Sequence, residues 1–165
     1  MKKYIAIISA VIFVFTSMAY SAEVTKMTKA EKDLAVNIIA RTLLFEGRSD
    51  GSNGMYAVAC IIQIRAQREH MPLADYCLKR KIFSMWNNVS QEYKTTVRPL
   101  KNTWWCRYAV AVATRMVDGE QLDHSFVAYC DHYCTLDSNP YWAKGQEPRV
   151  IIGNHKFYKL FASRS

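Results

Sequence analysis

One acidic residue, Glu46, lies between two segments whose apolar residues repeat at helical spacing. The upstream repeat consists of Leu34, Ala35, Ile38, Ile39 and Leu43, and the downstream repeat of Met55, Val58, Ala59 and Ile62. Residues 49–54, with the sequence SDGSNG, are rich in turn-forming residues. The pattern therefore predicts that Glu46 lies at the end of a buried helix and faces the mouth of a loop.

A carboxyl group in that position could act as a general acid. Partial burial raises the pKa of a carboxyl group, because the charged form loses solvation. A carboxyl group that is still protonated near neutral pH can donate a proton to a leaving group. Most glutamates at helix ends are simply solvated, so at this point Glu46 is a candidate and no more.

Three other stretches combine aromatic rings with amide, hydroxyl or imidazole groups: residues 83–87, 132–142 and 153–158. Such a mixture suits a sugar, since rings cover the apolar C–H face of a pyranose while polar groups bond its hydroxyls. The ordinary alternative is that Trp86 and Trp142 belong to the core, as most aromatic residues do.

A metal site is a weaker possibility. Cys130, His132 and Cys134 alternate in a strand-like run and could share one face, and with His124 or His155 they could bind zinc. Their spacing is not a usual zinc pattern and disulfide formation competes, so we expect no metal. The sequence also lacks H-E-x-x-H and a P-loop.

Helices dominate the first two-thirds of the chain. Thr28 to Glu31 has the form of a capping box, which predicts a helix from there to about Phe45. Ser52 or Asn53 could cap a second helix that ends near Arg68. Shorter helices are predicted over 73–79 and 91–97, and a third long helix, capped by Asn102 or Thr103, over 104–117.

The last third has the composition of a small sheet. Residues 125–133 are rich in β-forming residues, and residues 149–152 and 155–160 flank Gly153-Asn154 as in a β-hairpin. Helices first and a small antiparallel sheet last predict an α+β fold.

The N-terminus has the features of a signal peptide over residues 1–22. Lys2 and Lys3 precede an apolar run over 5–15, and small residues follow at 17–22. The prediction is an exported domain over 23–165, periplasmic or associated with the cell wall, without stable membrane insertion after cleavage.

Charge and cysteine content fit export. The net charge is +8, and without Lys2 and Lys3 the chain keeps 20 basic and 14 acidic residues, a net +6. Such a domain could bind an anionic wall polymer or anionic lipid, while export makes nucleic acid the least suitable partner. The five cysteines, Cys60, Cys77, Cys106, Cys130 and Cys134, allow up to two disulfides, with Cys60 our choice for the free thiol.

Several short motifs, in order, resemble the SleB-type cell-wall hydrolases, the family that includes spore-cortex-lytic enzymes. That family shows T-I-x-G-E-A-R-G, G-M-x-A-V-A with N-R, Q-F-S-x-W, H-Y-H with P-x-W, and I-G-x-H-x-F-Y. The corresponding segments here are 42–48, 54–59 with Arg65, 82–86, 132–134 with 140–142, and 152–158. The ordered set covers about 41–158.

The resemblance implies a lysozyme-like α+β fold that acts on the glycan strands of peptidoglycan. It makes Glu46 the catalytic acid for cleavage between N-acetylmuramic acid and N-acetylglucosamine. The implied reaction is lytic transglycosylation, in which the C6 hydroxyl of the muramic residue closes a 1,6-anhydro ring. No metal or cofactor is implied.

A single catalytic carboxyl group agrees with this reaction. Ordinary glycosidases use two carboxyl groups, whereas a nucleophile within the sugar removes the need for the second. Asp50, Asp131 and Asp137 are weaker candidates for a second carboxylate, so simple hydrolysis stays open. We expect a further set of residues to line the substrate cleft: Arg48, Ser84, Trp86, His132, Tyr141 and Tyr158.

This chain departs from the family pattern at several positions within the motifs: Phe45, Gly47, Ile64, Ile82 and Cys134. These changes leave Glu46 in place. They keep two alternatives open: a wall-binding module without activity, and a disulfide-stapled interaction protein or inhibitor.

Overall fold

The computed structural model describes residues 27–161, so the predicted signal peptide lies outside the described residues. The chain divides into a short unit that ends at Lys32 and a unit from Asp33 onward. The second unit holds the core and the sheet. The described helices are α1 Lys29–Gly47, α2 Gly51–Glu69, α3 Leu73–Leu78, α4 Gln91–Thr95 and α5 Trp104–Val117. The strands are β1 His132–Thr135, β2 Val150–Ile152 and β3 His155–Tyr158.

Two predicted caps set where helices begin. The Thr28 backbone N–H donates to a Glu31 carboxylate oxygen at 2.7 Å, and the Glu31 N–H donates to the Thr28 hydroxyl at 3.3 Å. This reciprocal pair is the predicted capping box. At α5 the Thr103 hydroxyl accepts from the Cys106 N–H at 3.3 Å, which selects Thr103 over Asn102 as the cap.

Helix α2 forms the centre of the core. Ten of its residues are buried: Gly54, Met55, Ala57, Val58, Ala59, Cys60, Ile61, Ile62, Gln63 and Ala66. The helix packs against α3, α5 and β2, and so is covered on several sides. A helix enclosed in this way loses the one-sided apolar stripe of a surface helix.

The predicted loop over residues 49–54 is absent. A 3₁₀ turn covers Arg48–Asp50 and α2 begins at Gly51, so Ser52 and Asn53 lie inside the helix and do not cap it. Asp50 precedes the helix but makes no cap bond with its side chain. Its carboxylate bonds the distant hairpin instead. This contact restricts the backbone at a position where the turn-forming residues had suggested a mobile loop.

The sheet has three antiparallel strands in the order β1-β3-β2. Phe157 of β3 pairs with Tyr133 on one side and with Val150 on the other, which confirms the hairpin around Gly153-Asn154. Strand β1 begins later than the composition suggested. Residues 124–127 form a 3₁₀ turn, and Ala128 and Tyr129 take left-handed angles, with φ of 49° and 54°.

Helices followed by a small antiparallel sheet confirm the α+β class, and the arrangement is consistent with a lysozyme-like fold. Within residues 27–161 no helix is long and apolar enough to cross a membrane.

Asp50 ties the hairpin to the junction of α1 and α2. Its Oδ1 accepts from the Asn154 backbone N–H at 2.9 Å, and its Oδ2 bonds His155 Nδ1. Gly153 has φ of +57°, and a Cβ built on it would overlap the Asp50 carboxyl group. Only a residue without a side chain lets the two segments approach this closely.

Gly153→Ala should therefore destabilise the protein more than Gly145→Ala. Gly145 also has a positive φ, of +73°, but a Cβ there meets nothing within 4 Å. Gly145→Ala should cost on the order of 1–2 kcal/mol, the cost of a left-handed angle for a residue with a Cβ. Gly153→Ala adds the loss of the Asp50 contact. Urea unfolding measures both, and equal losses would contradict this interpretation of the hairpin contact.

Candidate functional site

Glu46 opens into a cleft of about 380 Å³ between the helices and the sheet. The cleft is lined by Glu46, Ile61, Arg65, Tyr76, Lys81, Ile82, Phe83, His132, Tyr133 and Trp142. Glu46 is the only acidic residue in this lining. The set combines one carboxyl group with aromatic faces and with two cationic side chains.

A larger groove of about 670 Å³ runs beside α1 and α5 and includes Asp33, Asn37, Arg98 and Lys101. Its carboxyl group, that of Asp33, is exposed. The Asn37 amide donates to the Arg98 carbonyl at 2.7 Å and is therefore already bonded. The smaller cleft is the candidate site, because it alone of the two holds a partly buried carboxyl group beside other reactive side chains.

Glu46 lies in the last turn of α1 with its side chain half-buried. The Tyr133 hydroxyl, from β1, donates to Glu46 Oε2 at 3.0 Å. Burial raises the pKa of Glu46, and the Tyr133 hydrogen bond and the nearby His155 ring oppose that rise. The pKa stays above the ordinary value, so burial is the larger effect and Glu46 keeps its proton to a higher pH than an exposed glutamate does.

A close backbone contact fixes the end of α1 that carries Glu46. A Cβ built on Gly47 would lie 2.6 Å from the Met55 nitrogen and 2.7 Å from the Gly54 carbonyl carbon. In this chain glycine at position 47 thus lets the end of α1 touch the start of α2. The departure from the alanine of the family motif has a local structural reason and leaves the carboxyl group next to it in place.

Tyr133 is itself held by its neighbours. Its ring stacks on Phe157 with centroids 5.7 Å apart and meets the His155 ring edge-on at 5.4 Å. The His155 ring is bonded to Asp50, whose side chain is 1% exposed. A continuous set of contacts therefore runs from Asp50 through His155 and Tyr133 to the carboxyl group of Glu46.

A second carboxylate orients His132 on another wall of the cleft. His132 Nδ1 lies 2.7 Å from Asp131 Oδ1, and the buried Asp131 also accepts from the backbone N–H groups of Leu160 and Phe161, at 2.9 and 3.0 Å. Burial lowers the pKa of His132, with the Asp131 hydrogen bond opposing the change. The neutral ring with its proton on Nδ1 leaves Nε2 as an acceptor.

The structure brings only part of the predicted set together. His132 lines the cleft beside Glu46. Trp86 is 2% exposed and donates from Nε1 to the Thr42 hydroxyl at 3.0 Å, so it lies in the core. Tyr158 is 4% exposed and packs edge-on against Trp142.

The remaining predicted residues lie outside the lining: Arg48, Ser84 and Tyr141. All three are exposed, Tyr141 at 88%. Four residues of the lining were not predicted as site residues: Arg65, Tyr76, Lys81 and Tyr133. The adjacency of Tyr133 to His132 and the position of Arg65 in a family motif were the available signals.

The expected disulfides are not formed. All five cysteines lie in the described residues and all are free, Cys60 among them. Burial raises the pKa of the Cys130 thiol to about 11 and that of the Cys77 thiol to about 12. A buried thiol with a raised pKa is unreactive, because the thiolate is the reactive form.

The zinc grouping is also not formed. Among residues 27–161 no three His, Cys, Asp or Glu side chains converge as metal ligands would. His132 and His155 are each bonded to an aspartate through Nδ1, and His124 lies 2.8 Å from the Gln63 amide oxygen through Nε2.

Comparison with known proteins gives one match. A family model described as Cell Wall Hydrolase matches residues 49–158, about two-thirds of the 165-residue chain. The matched segment includes Arg65, His132, Tyr133 and His155, and begins three residues after Glu46. Neither the curated proteins nor the solved structures give a match.

Tyr133→Phe should raise the pKa of Glu46 above its wild-type value, because the lost hydroxyl stabilised the ionised carboxylate. A ¹³C NMR titration of the Glu46 carboxyl carbon measures the change directly. Tyr141→Phe, which removes an exposed hydroxyl outside the cleft, should leave that pKa unchanged. A Glu46 pKa that stays constant or falls in Tyr133→Phe would contradict the assigned hydrogen bond.

The free energy of unfolding of Glu46→Gln should rise relative to that of the wild type as the pH rises. A carboxyl group whose pKa is higher in the folded state stabilises that state below the unfolded pKa, near 4.5. The contribution is lost as the pH rises through the folded pKa, and glutamine has no such loss. Urea unfolding between pH 4 and 7 measures the difference, with the exposed Glu92→Gln as control. If the difference in free energy of unfolding between Glu46→Gln and the wild type does not change with pH, the Glu46 pKa is not raised in the folded state.

Proposed function

Since the chain belongs to the Cell Wall Hydrolase family, of the SleB type, we propose that it cleaves peptidoglycan glycan strands with Glu46 as the acid and base. The bond cleaved joins N-acetylmuramic acid to N-acetylglucosamine. One observation carries the proposal: among residues 27–161, Glu46 is the only one whose carboxyl group lines the cleft, and burial raises its pKa. A carboxyl group in that state can donate a proton near neutral pH.

In the first step the protonated Glu46 gives its proton to the glycosidic oxygen. The bond from that oxygen to C1 of the muramic residue breaks, and positive charge develops at C1 and the ring oxygen. Tyr133 then matters for the Glu46 carboxylate that remains. Its hydroxyl already donates to Oε2 at 3.0 Å and so stabilises the negative charge as it forms.

In the second step the C6 hydroxyl of the same muramic residue attacks C1. Glu46, now ionised, takes the hydroxyl proton, and the new O6–C1 bond closes a 1,6-anhydro ring. The carboxyl group ends protonated, as it began, and no water is consumed. This is the reaction of a lytic transglycosylase, and it uses one carboxyl group twice.

The three aspartates considered as a second carboxylate are engaged elsewhere, which supports a mechanism with one carboxyl group. Asp50 bonds His155 and the Asn154 backbone, and Asp131 bonds His132 and two backbone N–H groups. Asp137 is exposed and accepts from the Thr135 hydroxyl at 2.5 Å. None of the three lines the cleft.

Hydrolysis by water is a second candidate, favoured by the orientation of His132. The Asp131 carboxylate fixes the ring and leaves Nε2 as an acceptor, as in sites where a histidine acts as general base. A water molecule activated by His132 would attack C1 and give a product with a free reducing end. The products therefore distinguish the two reactions.

The setting of this activity is also proposed. A signal peptide over residues 1–22 would export the domain, and its basic surface would favour the anionic wall. The proposal includes no cofactor and no metal.

Digestion of purified peptidoglycan, with products identified by mass spectrometry, tests the proposal. The wild-type protein should release 1,6-anhydromuramic products, and Glu46→Gln should lower the rate at least about a hundredfold, the low end of the effect of a general acid. Glu92→Gln, an exposed change far along the chain, should cleave like the wild type.

The other outcomes are also informative. Reducing-end products that disappear in His132→Gln would replace the transglycosylase by a muramidase. If purified peptidoglycan binds the wild-type protein but is not cleaved, the proposed catalytic activity is wrong and a non-catalytic binding module is favoured.

A further inference from the structure

One wall of the cleft presents donors that the described part of the chain leaves without acceptors. The Tyr76 side chain is 0% exposed, and its hydroxyl has no hydrogen-bond partner among the described residues. The Nε of Arg65 is likewise buried without a partner, and the guanidinium carbon lies 5.6 Å from the centre of the Tyr76 ring. Buried polar groups are nearly always bonded, and both residues line the cleft, so a molecule bound there can supply the missing acceptor.

Lys81 adds a second positive charge to the same cleft. Its backbone takes a left-handed angle, with φ of 68°, and the Asn87 side chain accepts from its N–H at 3.0 Å. Such an angle is unfavourable for lysine, and residues held in strained conformations cluster at functional sites. Lys81 is exposed, so its side chain is free to turn toward a bound anion.

The chain gives these donors little negative charge of its own. Glu69 lies 4.0 Å from an Arg65 nitrogen, a weak contact, and bonds Lys79 more closely. Glu46 is bonded to Tyr133. A guanidinium, a phenol and an ammonium together match a carboxylate, which accepts several charge-assisted hydrogen bonds.

We propose that Arg65, Tyr76 and Lys81 bind the free lactyl carboxylate of a muramic residue, so that the protein prefers glycan strands from which the stem peptides have been removed. This inference rests on the proposed function, since it places a muramic residue next to Glu46. The lactyl ether is carried by C3 of the same sugar whose C1 bond is cleaved. Its carboxylate is therefore within a short distance of the reacting centre.

A free lactyl carboxylate is present only in strands from which the stem peptide has been removed. In a strand that keeps its peptide the lactyl carboxyl is a neutral amide, which cannot pair with two cations.

The proposed lactyl carboxylate site also implies that another reaction comes first. An amidase must first hydrolyse the amide between the lactyl group and the peptide, which releases the carboxylate. The product of that hydrolysis would be the substrate here.

The test compares three substrates: peptide-free strands, the same strands with the lactyl carboxylates converted to methylamides, and peptide-bearing strands. The wild-type protein should cleave peptide-free strands at least about tenfold faster than the methylamides, the effect of one hydrogen bond to a charged group. Lys81→Gln, Arg65→Gln and Tyr76→Phe should each reduce that ratio. Lys101→Gln, in the other groove, should leave it unchanged.

Equal rates on peptide-free strands and methylamides would overturn the inference, and so would variants that slow both substrates to the same extent. Fastest cleavage of peptide-bearing strands, lost when the peptide carboxylates are esterified, would move the recognised carboxylate to the stem peptide and overturn the lactyl assignment.

A binding measurement separates this inference from the proposed activity. Glu46→Gln leaves Arg65, Tyr76 and Lys81 unchanged. It should bind peptide-free strands at least about tenfold more tightly than the methylamides. If no substrate is cleaved but this preference is present, the activity fails and the carboxylate site stands. If the substrates are cleaved but the preference is absent, the activity stands and the carboxylate site fails.

Discussion

The bond between Asp50 and His155 is the constraint on which the geometry of the site depends. It joins the junction of α1 and α2 to a hairpin 105 residues further along the chain. Strand β3 of that hairpin pairs with β1, which carries Tyr133 to the Glu46 carboxyl group. Buried polar contacts between distant segments contribute little net stability but can fix one arrangement among several. Here the pair sets which part of the sheet faces the end of α1.

Three carboxyl groups near the cleft have different partners and hence different roles. Asp50 is bonded to the hairpin and Asp131 to His132 and the backbone of the C-terminal segment, so both orient other groups. Glu46 accepts one hydrogen bond and is partly desolvated, which leaves it able to hold a proton and to release it. Environment separates the roles of chemically similar groups, as it does in glycosidases with two carboxyl groups.

The features that could be predicted from the sequence are those set by residues close together in the chain. Helical periodicity and caps located α1, α2 and α5 to within a few residues, and the turn at Gly153 located the hairpin. Local rules failed in the 49–54 segment, which is helical, and whose Asp50 bonds a hairpin far along the chain that local patterns do not show. Glu46 was selected as the candidate acid through its motif. Trp86 was expected in the cleft but lies in the core, and the sequence alone does not show whether an aromatic ring is buried. Tyr133 was missed because nothing local indicates where its hydroxyl points.

A structure of Glu46→Gln bound to a muramic-containing tetrasaccharide tests most directly whether Glu46 is the acid. We expect the scissile glycosidic oxygen to lie within about 2.6–3.2 Å of the Gln carboxamide, the reach of a general acid. We also expect the sugar on the cleaved side to lie between His132 on one side and Arg65 and Tyr76 on the other. A saccharide bound in the groove beside α1 and α5, with position 46 out of reach of every glycosidic oxygen, would contradict this role of Glu46.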